Sequence, residues 1–395
     1  MQPLSEETRK TLWGSLWDRY REERPRKMLT LDGGGIRGMI TLEVLAKIEG
    51  LLAARTGRGD AFRLCEFFDY FAGTSTGAII AAGLARGMSA KGLLEFYRGS
   101  GAAMFEKAAL LDRFNHLYKR DPLAAKLQEV YGENSTLEPR HLRSLLLVVT
   151  RNVSTDSPWP ISSNPLAKYN APERKDCNLR IPLWKLIRAS TAAPIFFPPE
   201  VVSWDESDPK KTFVFVDGGM TPYNNPAFLL FRMATAEPYG LRWSTGERKL
   251  LIVSLGTGSA ANENPDVLHP NRNLVSNLAG LPSALMDGAA VDQDTNCRII
   301  GRCSHGAPLD REIGDLIPRD AQGNKIPLEQ DLGRAFLYAR YDADLSRKGL
   351  DALGLPQIKS ENVQRLDSVD FLEELSQVGR AVAGKVSLEH FGGFV

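Results

Sequence analysis

The 395-residue sequence predicts an α/β fold built on a largely parallel central sheet. Two patterns lead there. Short apolar runs of strand length alternate with segments of helical periodicity, the arrangement of parallel strands joined by crossover helices. Three of the runs also end in glycine-rich turns, where a buried strand hands over to a loop or helix. These are Asp32-Gly33-Gly34-Gly35-Ile36-Arg37-Gly38, Gly73-Thr74-Ser75-Thr76-Gly77 and Asp217-Gly218-Gly219.

In chain order, residues 5–23 are predicted as one amphipathic helix. Ser5 is its cap, Glu6 and Glu7 fill its first turn, and Leu12, Trp13, Leu16, Trp17 and Tyr20 gather on one side. Docking on the main domain or on a second subunit is preferred to dipping into lipid, because Glu22 and Glu23 share the polar face with arginines. The main domain, 26–390, opens with strand Met28–Leu31, followed by the triple-glycine loop and a helix over Met39–Arg55. Phe67–Phe71 is the second strand and Ala78–Ala85 a helix of small residues. Leu145–Val149 is a strand, 154–178 a long Ser/Pro/Asn-rich loop, and Leu183–Ala193 a helix stopped by Pro194. Phe213–Val216 and Leu250–Leu255 are further strands. Residues 259–330 show no clear pattern and are treated as an insert or extension. Phe336–Leu345 and Val369–Phe391 are expected as closing helices.

Hydrophobic residues make up 43% of the chain and charged residues 25%, enough for a sizeable core in one large domain. The net charge of +1 gives no bulk attraction for a nucleic-acid polymer. Cys65, Cys177, Cys297 and Cys303 are too scattered for a disulfide framework, so a reducing, cytoplasmic setting is expected. Cys297, Cys303 and His305 lack a second matching pair, so no metal is expected. The start of the chain has no apolar core of a secretory leader, and no stretch is long and apolar enough to span a bilayer. Membrane contact is expected to be peripheral.

The turns carry the chemistry. Ser75 sits in a G-x-S-x-G elbow, with Gly73, Thr74, Thr76 and Gly77 around it. Such an elbow holds a serine on a tight strand-to-helix turn, with the helix N-terminus aimed at the site. The triple-glycine loop (Gly33, Gly34, Gly35, Arg37 and Gly38) exposes peptide N–H groups suited to a developing oxyanion, with Gly34 and Gly35 as donors and the Thr76 amide assisting. Arg37 adds a positive charge or braces the loop. Asp217, followed by Gly218 and Gly219, is the candidate base for Ser75; burial would lift its pKa toward working pH. Two rival readings of these residues are weaker. The loop also fits a dinucleotide fingerprint, but no acidic residue ends a second strand about twenty residues on. A Ser-Asp-His triad needs a histidine after Asp217, and His269, His305 and His390 sit in no recognisable setting.

At these residues the chain resembles the patatin-like phospholipase family. The motifs DGGGIRG, FDYFAGTSTG and VDGG match, as do LWKLIRASTAAPIFFPP, NNPA at Asn224–Ala227, VSLGTG at Val253–Gly258 and the later YARYDADL. The resemblance covers about residues 26–390. It implies a three-layer α/β/α fold and a lipid acyl hydrolase with Ser75 as nucleophile and Asp217 as base. It implies an oxyanion hole at Gly33–Gly38, no metal or other cofactor, and membrane phospholipid as substrate. Some bacterial relatives are anti-phage effectors silent until a cyclic nucleotide binds. A nucleotide pocket with Arg298, Arg302 or Arg311 is conceivable, though solvated surface arginines are preferred. Segment 100–122, with Met104, Phe105, Leu110, Leu111, Phe114 and Tyr118, is a lid or acyl wall, or plain core. A catalytically silent lipid-binding module is the alternative from another class.

Overall fold

Alternating strand faces divide the core in two. In β1 (Arg26–Leu31), Leu29 and Leu31 join one apolar cluster and Met28 the other; in β7 (Leu250–Leu255), Leu251 and Val253 face the first, Leu250 and Ile252 the second. Side chains of a strand alternate between faces, so a sheet with apolar residues on both must be covered on both. Helices Gly38–Thr56, Thr76–Arg86, Leu183–Ser190 and Leu372–Ala383 cover one face; Ala227–Thr235 and Leu274–Ile300 cover the other. The result is a three-layer α/β/α sandwich. The computed structural model describes residues 5–105, 122–194, 197–205, 207–259 and 274–395, with Ala102, Ala103, Phe105 and residues 274–283 described by backbone alone.

The other described strands are β2 (Tyr70–Thr74), β3 (Leu145–Asn152), β4 (Ser157–Ser162), β5 (Glu200–Ser203), β6 (Thr212–Asp217), β8 (Arg302–His305) and β9 (Leu337–Tyr341). The order is β5-β6-β3-β2-β1-β7-β9-β8, with β4 also on β3. Neighbours from β3 through β2, β1, β7 and β9 to β8 are parallel; β3–β4, β3–β6 and β5–β6 are antiparallel.

One feature of this register places the site. β2 pairs with β3 only up to Thr74↔Val149, and β6 takes over at Thr150↔Asp217. β4 occupies the other edge of β3 from Leu147 to Asn152, so β2 and β6 share one edge. β2 runs parallel to β3 and β6 against it. Their carboxyl ends therefore meet head-on, and Ser75 arrives beside Asp217.

Several sequence expectations are corrected. The 154–178 segment is not all loop: Ser157–Ser162 forms β4, with Pro158 and Pro160 in a strand that, among the described residues, pairs only with β3. Phe336–Leu345 is not helical, because its centre is β9, buried along its length between β7 and β8. Val369–Phe391 is not one helix either; the regular part is Leu372–Ala383, with 3₁₀ turns on both sides. The second strand begins at Tyr70 because Leu64–Phe67 is a helical turn. Within 259–330 lie the long Leu274–Ile300 helix and β8. In the 100–122 segment Met104 is buried, while Leu110, Leu111, Phe114, Tyr118 and the Phe105 side chain lie outside the described residues.

The N-terminal segment is broken rather than one helix. Ser5 caps Glu6–Trp13, Gly14 turns at φ 49°, and a second short helix spans Trp17–Tyr20. Trp13 and Leu16 are buried in the second apolar cluster, and Trp13 stacks on Tyr20 at 4.7 Å. Asp69 fastens the segment. Its fully buried carboxylate faces Arg19 at 3.3 Å, Arg26 at 3.6 Å and Arg24, and accepts the Lys27 N–H at 3.0 Å. Removing one member of a buried charge cluster leaves the rest uncompensated, at about 3–5 kcal/mol. Asp69→Ala is expected to lower stability by that order and to expose residues 5–24 to limited proteolysis; an unchanged digestion pattern would show that the apolar contacts hold the segment alone.

Candidate active site

Ser75 stands at the turn from β2 into helix Thr76–Arg86, with φ 54° and ψ −123°. A non-glycine residue rarely sits there, and such strain persists only where surroundings enforce it. They do so here through close backbone approaches. A Cβ on Gly73 would lie 2.1 Å from the Gly77 carbonyl oxygen, and one on Gly77 2.2 Å from the Leu31 carbonyl of β1. Thr74 donates its hydroxyl to the Tyr223 carbonyl at 2.7 Å. The Ser75 N–H donates to Ser190 Oγ at 2.9 Å.

The Ser75 hydroxyl donates to Asp217 Oδ2 at 2.6 Å. Asp217 Oδ1 accepts the Gly219 N–H at 2.7 Å, and the Asp217 N–H donates to the Ala192 carbonyl at 2.9 Å. Gly218 lets this turn press on β3: a Cβ there would come 2.2 Å from the Val149 oxygen. Asp217 is only 4% exposed. Burial pushes its pKa up to about 6, partly offset by the hydrogen bonds from Ser75 and Gly219 and by the Arg188 charge.

The triple-glycine loop is fixed from outside. Asp32, at the end of β1, takes both guanidinium nitrogens of Arg340 from β9, at 3.0 and 2.6 Å. The Gly33 N–H is taken by the Asn224 carbonyl at 3.2 Å, the Ile36 N–H by the Leu366 carbonyl at 3.0 Å, and the Arg37 N–H by Gly34 at 3.2 Å. The Gly38 N–H turns back on Gly35 and Ile36. Gly33, Arg37 and Gly38 therefore have no backbone N–H to offer an oxyanion, a correction to the sequence expectation for them. The N–H groups of Gly34, Gly35 and Thr76 carry no hydrogen bond among the described residues. Arg37 is buried and donates from its side chain to the Gln364 carbonyl at 3.2 Å.

The cleft beside Ser75 has a volume of about 60 Å³ and is bounded by Gly35, Ala193, Phe197, Met220, Met286 and Leu366. A larger groove of about 940 Å³ lies elsewhere, between Arg55, Arg248, Leu388 and Val395, and includes neither Ser75 nor Asp217. No described histidine bonds to Ser75 or Asp217. His390 pairs with the Tyr341 hydroxyl at 2.8 Å, His305 stacks on His390 at 4.2 Å, and His141 bonds to Thr136. His269 lies outside the described residues. Arg298 and Arg302 are buried, not solvated, bonded to Asp294 at 2.7 Å and Glu247 at 2.8 Å; Arg311 is exposed. All four cysteines are buried free thiols, and among the described residues no cluster of histidine, cysteine and carboxylate side chains is arranged for a metal. No described helix is long and apolar enough to cross a membrane.

Sequence reasoning missed Ser190, Ala192 and Leu366, and gave Asn224 no role. The run LWKLIRASTAAPIFFPP and the NNPA motif were visible, but their contacts with the turns arise only in three dimensions.

The family model described as patatin-like phospholipase matches residues 29–231. A cGAMP-activated phospholipase of Vibrio cholerae is 32% identical over 228 residues, 54% of this chain and 60% of that protein. Patatin-T5 of Solanum tuberosum is 29% identical over 247 residues, 59% and 61% of the respective chains. The matches thus span about 60% of these curated relatives. Among solved structures, human GIVD cytosolic phospholipase A2 aligns with a TM-score of 0.40 at 13% identity, covering 98% of this chain and 64% of that one.

Proposed function

This chain belongs to the patatin-like phospholipase family, and on that basis we propose that it hydrolyses carboxylic esters of membrane phospholipids through an acyl-enzyme on Ser75. The observation that carries the proposal is the 2.6 Å hydrogen bond from Ser75 Oγ to a buried Asp217 carboxylate. In the reaction Asp217 Oδ2 takes the hydroxyl proton as Ser75 Oγ attacks the ester carbonyl carbon. The carbonyl oxygen becomes an oxyanion, held by the N–H groups of Gly34, Gly35 and Thr76. The lyso-lipid alkoxide leaves with the proton from Asp217. Water then attacks the acyl-serine, again giving its proton to Asp217, and the fatty acid departs as Ser75 regains its hydrogen.

The cleft of about 60 Å³ is well short of the roughly 300 Å³ or more of ordinary ligand pockets. That supports a resting state that opens before an acyl chain enters. The name of the Vibrio cholerae relative, a cGAMP-activated phospholipase, supports a cyclic nucleotide as the signal, and the family resemblance adds an anti-phage role to the proposal. The enzyme then acts at the membrane surface from the cytoplasm. The test is incubation of the protein with mixed phospholipid vesicles, with and without a panel of cyclic nucleotides, and mass spectrometry of the released fatty acids. Release that rises with one nucleotide is the expected result. Release unchanged by every nucleotide removes the gating; no release under any condition, together with no fluorophosphonate labelling of Ser75, removes the hydrolase.

A further inference from the structure

We infer that Ser190 is a positioning residue that sets the reactive geometry of Ser75; the inference rests on Ser75 being the nucleophile. β2 leaves the sheet at Thr74, so the Ser75 N–H and the Val149 carbonyl face a gap where the β2–β3 ladder would have continued. The Ser190 hydroxyl fills that gap. It accepts the Ser75 N–H at 2.9 Å and donates to the Val149 carbonyl at 2.6 Å. A hydroxyl has one proton and a carbonyl only accepts, so the orientation of the bridge is fixed. Ser190 is fully buried.

The same short stretch holds the other partner. Two residues on, the Ala192 carbonyl accepts the Asp217 N–H at 2.9 Å. The backbones of Ser75 and Asp217 thus hang from one three-residue segment at the end of helix Leu183–Ser190. The hydroxyl of Ser190 also keeps the Ser75 turn at its unusual φ and ψ by satisfying an N–H that no strand can reach. Without it, the buried N–H would be orphaned and would pull the turn toward another partner. The hydrogen bond between Ser75 Oγ and Asp217 would lengthen as a consequence.

The test uses the full chain with Ser190→Ala, Ser190→Cys and, as a control, Leu186→Ala. Leu186 is buried on the same helix and bonds to neither Ser75 nor Asp217. Measurements are kcat and KM on phospholipid in mixed micelles, melting temperature, and hydrogen exchange of the Ser75 amide. In Ser190→Ala, kcat is expected to fall roughly 10²-fold, as for a small misplacement of a reacting group, with KM nearly unchanged. The cysteine variant, a weaker donor of similar size, should fall between serine and alanine. The Ser75 amide should exchange faster in both, while Leu186→Ala melts earlier but keeps its kcat at temperatures where it is folded. The inference is overturned if Ser190→Ala keeps wild-type kcat, if the Leu186 control loses kcat equally, or if Ser75 exchange does not change. Should Ser190→Ala fail to fold, the cysteine variant decides by the same criteria. Should the wild type hydrolyse no ester, the acyl-hydrolase reading falls, and the exchange measurement alone still judges whether Ser190 holds the turn.

Discussion

Asp217→Asn is expected to lower kcat by roughly 10⁴-fold, the scale seen when a catalytic aspartate is made neutral, while leaving the fold intact or firmer. The two effects have one origin. Asp217 is buried, and burial has raised its pKa from 3.8 to about 6. A folded pKa above the unfolded one means that the protonated form suits the fold better. The stabilisation is fully present below the unfolded value and is lost as pH rises through the folded one, amounting to about 3 kcal/mol at most. At pH 7 the wild type therefore holds a carboxylate at a cost to its stability, and asparagine removes that cost. Asparagine keeps an oxygen for the Gly219 N–H but turns an NH₂ toward Ser75, which cannot take a proton. Wild-type kcat/KM should accordingly fall about tenfold per pH unit below 6 and level off above it. Ser75→Ala should be equally inactive at all pH values and should lose fluorophosphonate labelling. Asp217→Asn with retained turnover, or a wild-type profile flat down to pH 4, would exclude Asp217 as the base.

The same residues show what a chain reveals before it folds. The Ser75 elbow and the Asp217 turn were legible because each joins an apolar strand to glycines, and a glycine beside a reactive side chain marks close backbone approach. β9 was not legible. Arg340 near its end makes Leu337–Tyr341 look like a helix with a solvated face, and it takes Asp32, from a strand far away in sequence, together with Asp342, to turn that charge into an interior group. β4 was hidden by Pro158 and Pro160, which signal a loop unless the other edge of the strand needs no partner. Which loop amides remain open could not be read either. That depends on the carbonyls of Asn224 and Leu366, both remote in sequence from the glycines they touch. Local pattern thus marked where chemistry is possible, and long-range contacts decide which groups are left free to do it.

Gly35→Ala should expose that dependence most sharply. Gly35 has φ 59°, where an L side chain is strained, and an added Cβ would stand 2.3 Å from the Leu366 carbonyl oxygen. That oxygen accepts the Ile36 N–H, so it cannot retreat without breaking the bond that holds the loop. The loop must move instead, carrying the Gly34 and Gly35 N–H groups away from the oxyanion. Loss of a single oxyanion donor lowers kcat by about 10²–10³-fold, and with two adjacent donors displaced the upper figure is expected. KM should change little, because the interaction exists only once the carbonyl oxygen carries charge. Gly50→Ala supplies the opposite case within the adjoining helix. A Cβ there meets nothing within 4 Å, so replacing a mid-helix glycine should raise stability by about 0.5–1 kcal/mol and leave kcat untouched. If Gly35→Ala kept its kcat while melting earlier, the loop would be structural only, and the oxyanion would have to find its donors elsewhere, at the Thr76 amide and the start of its helix.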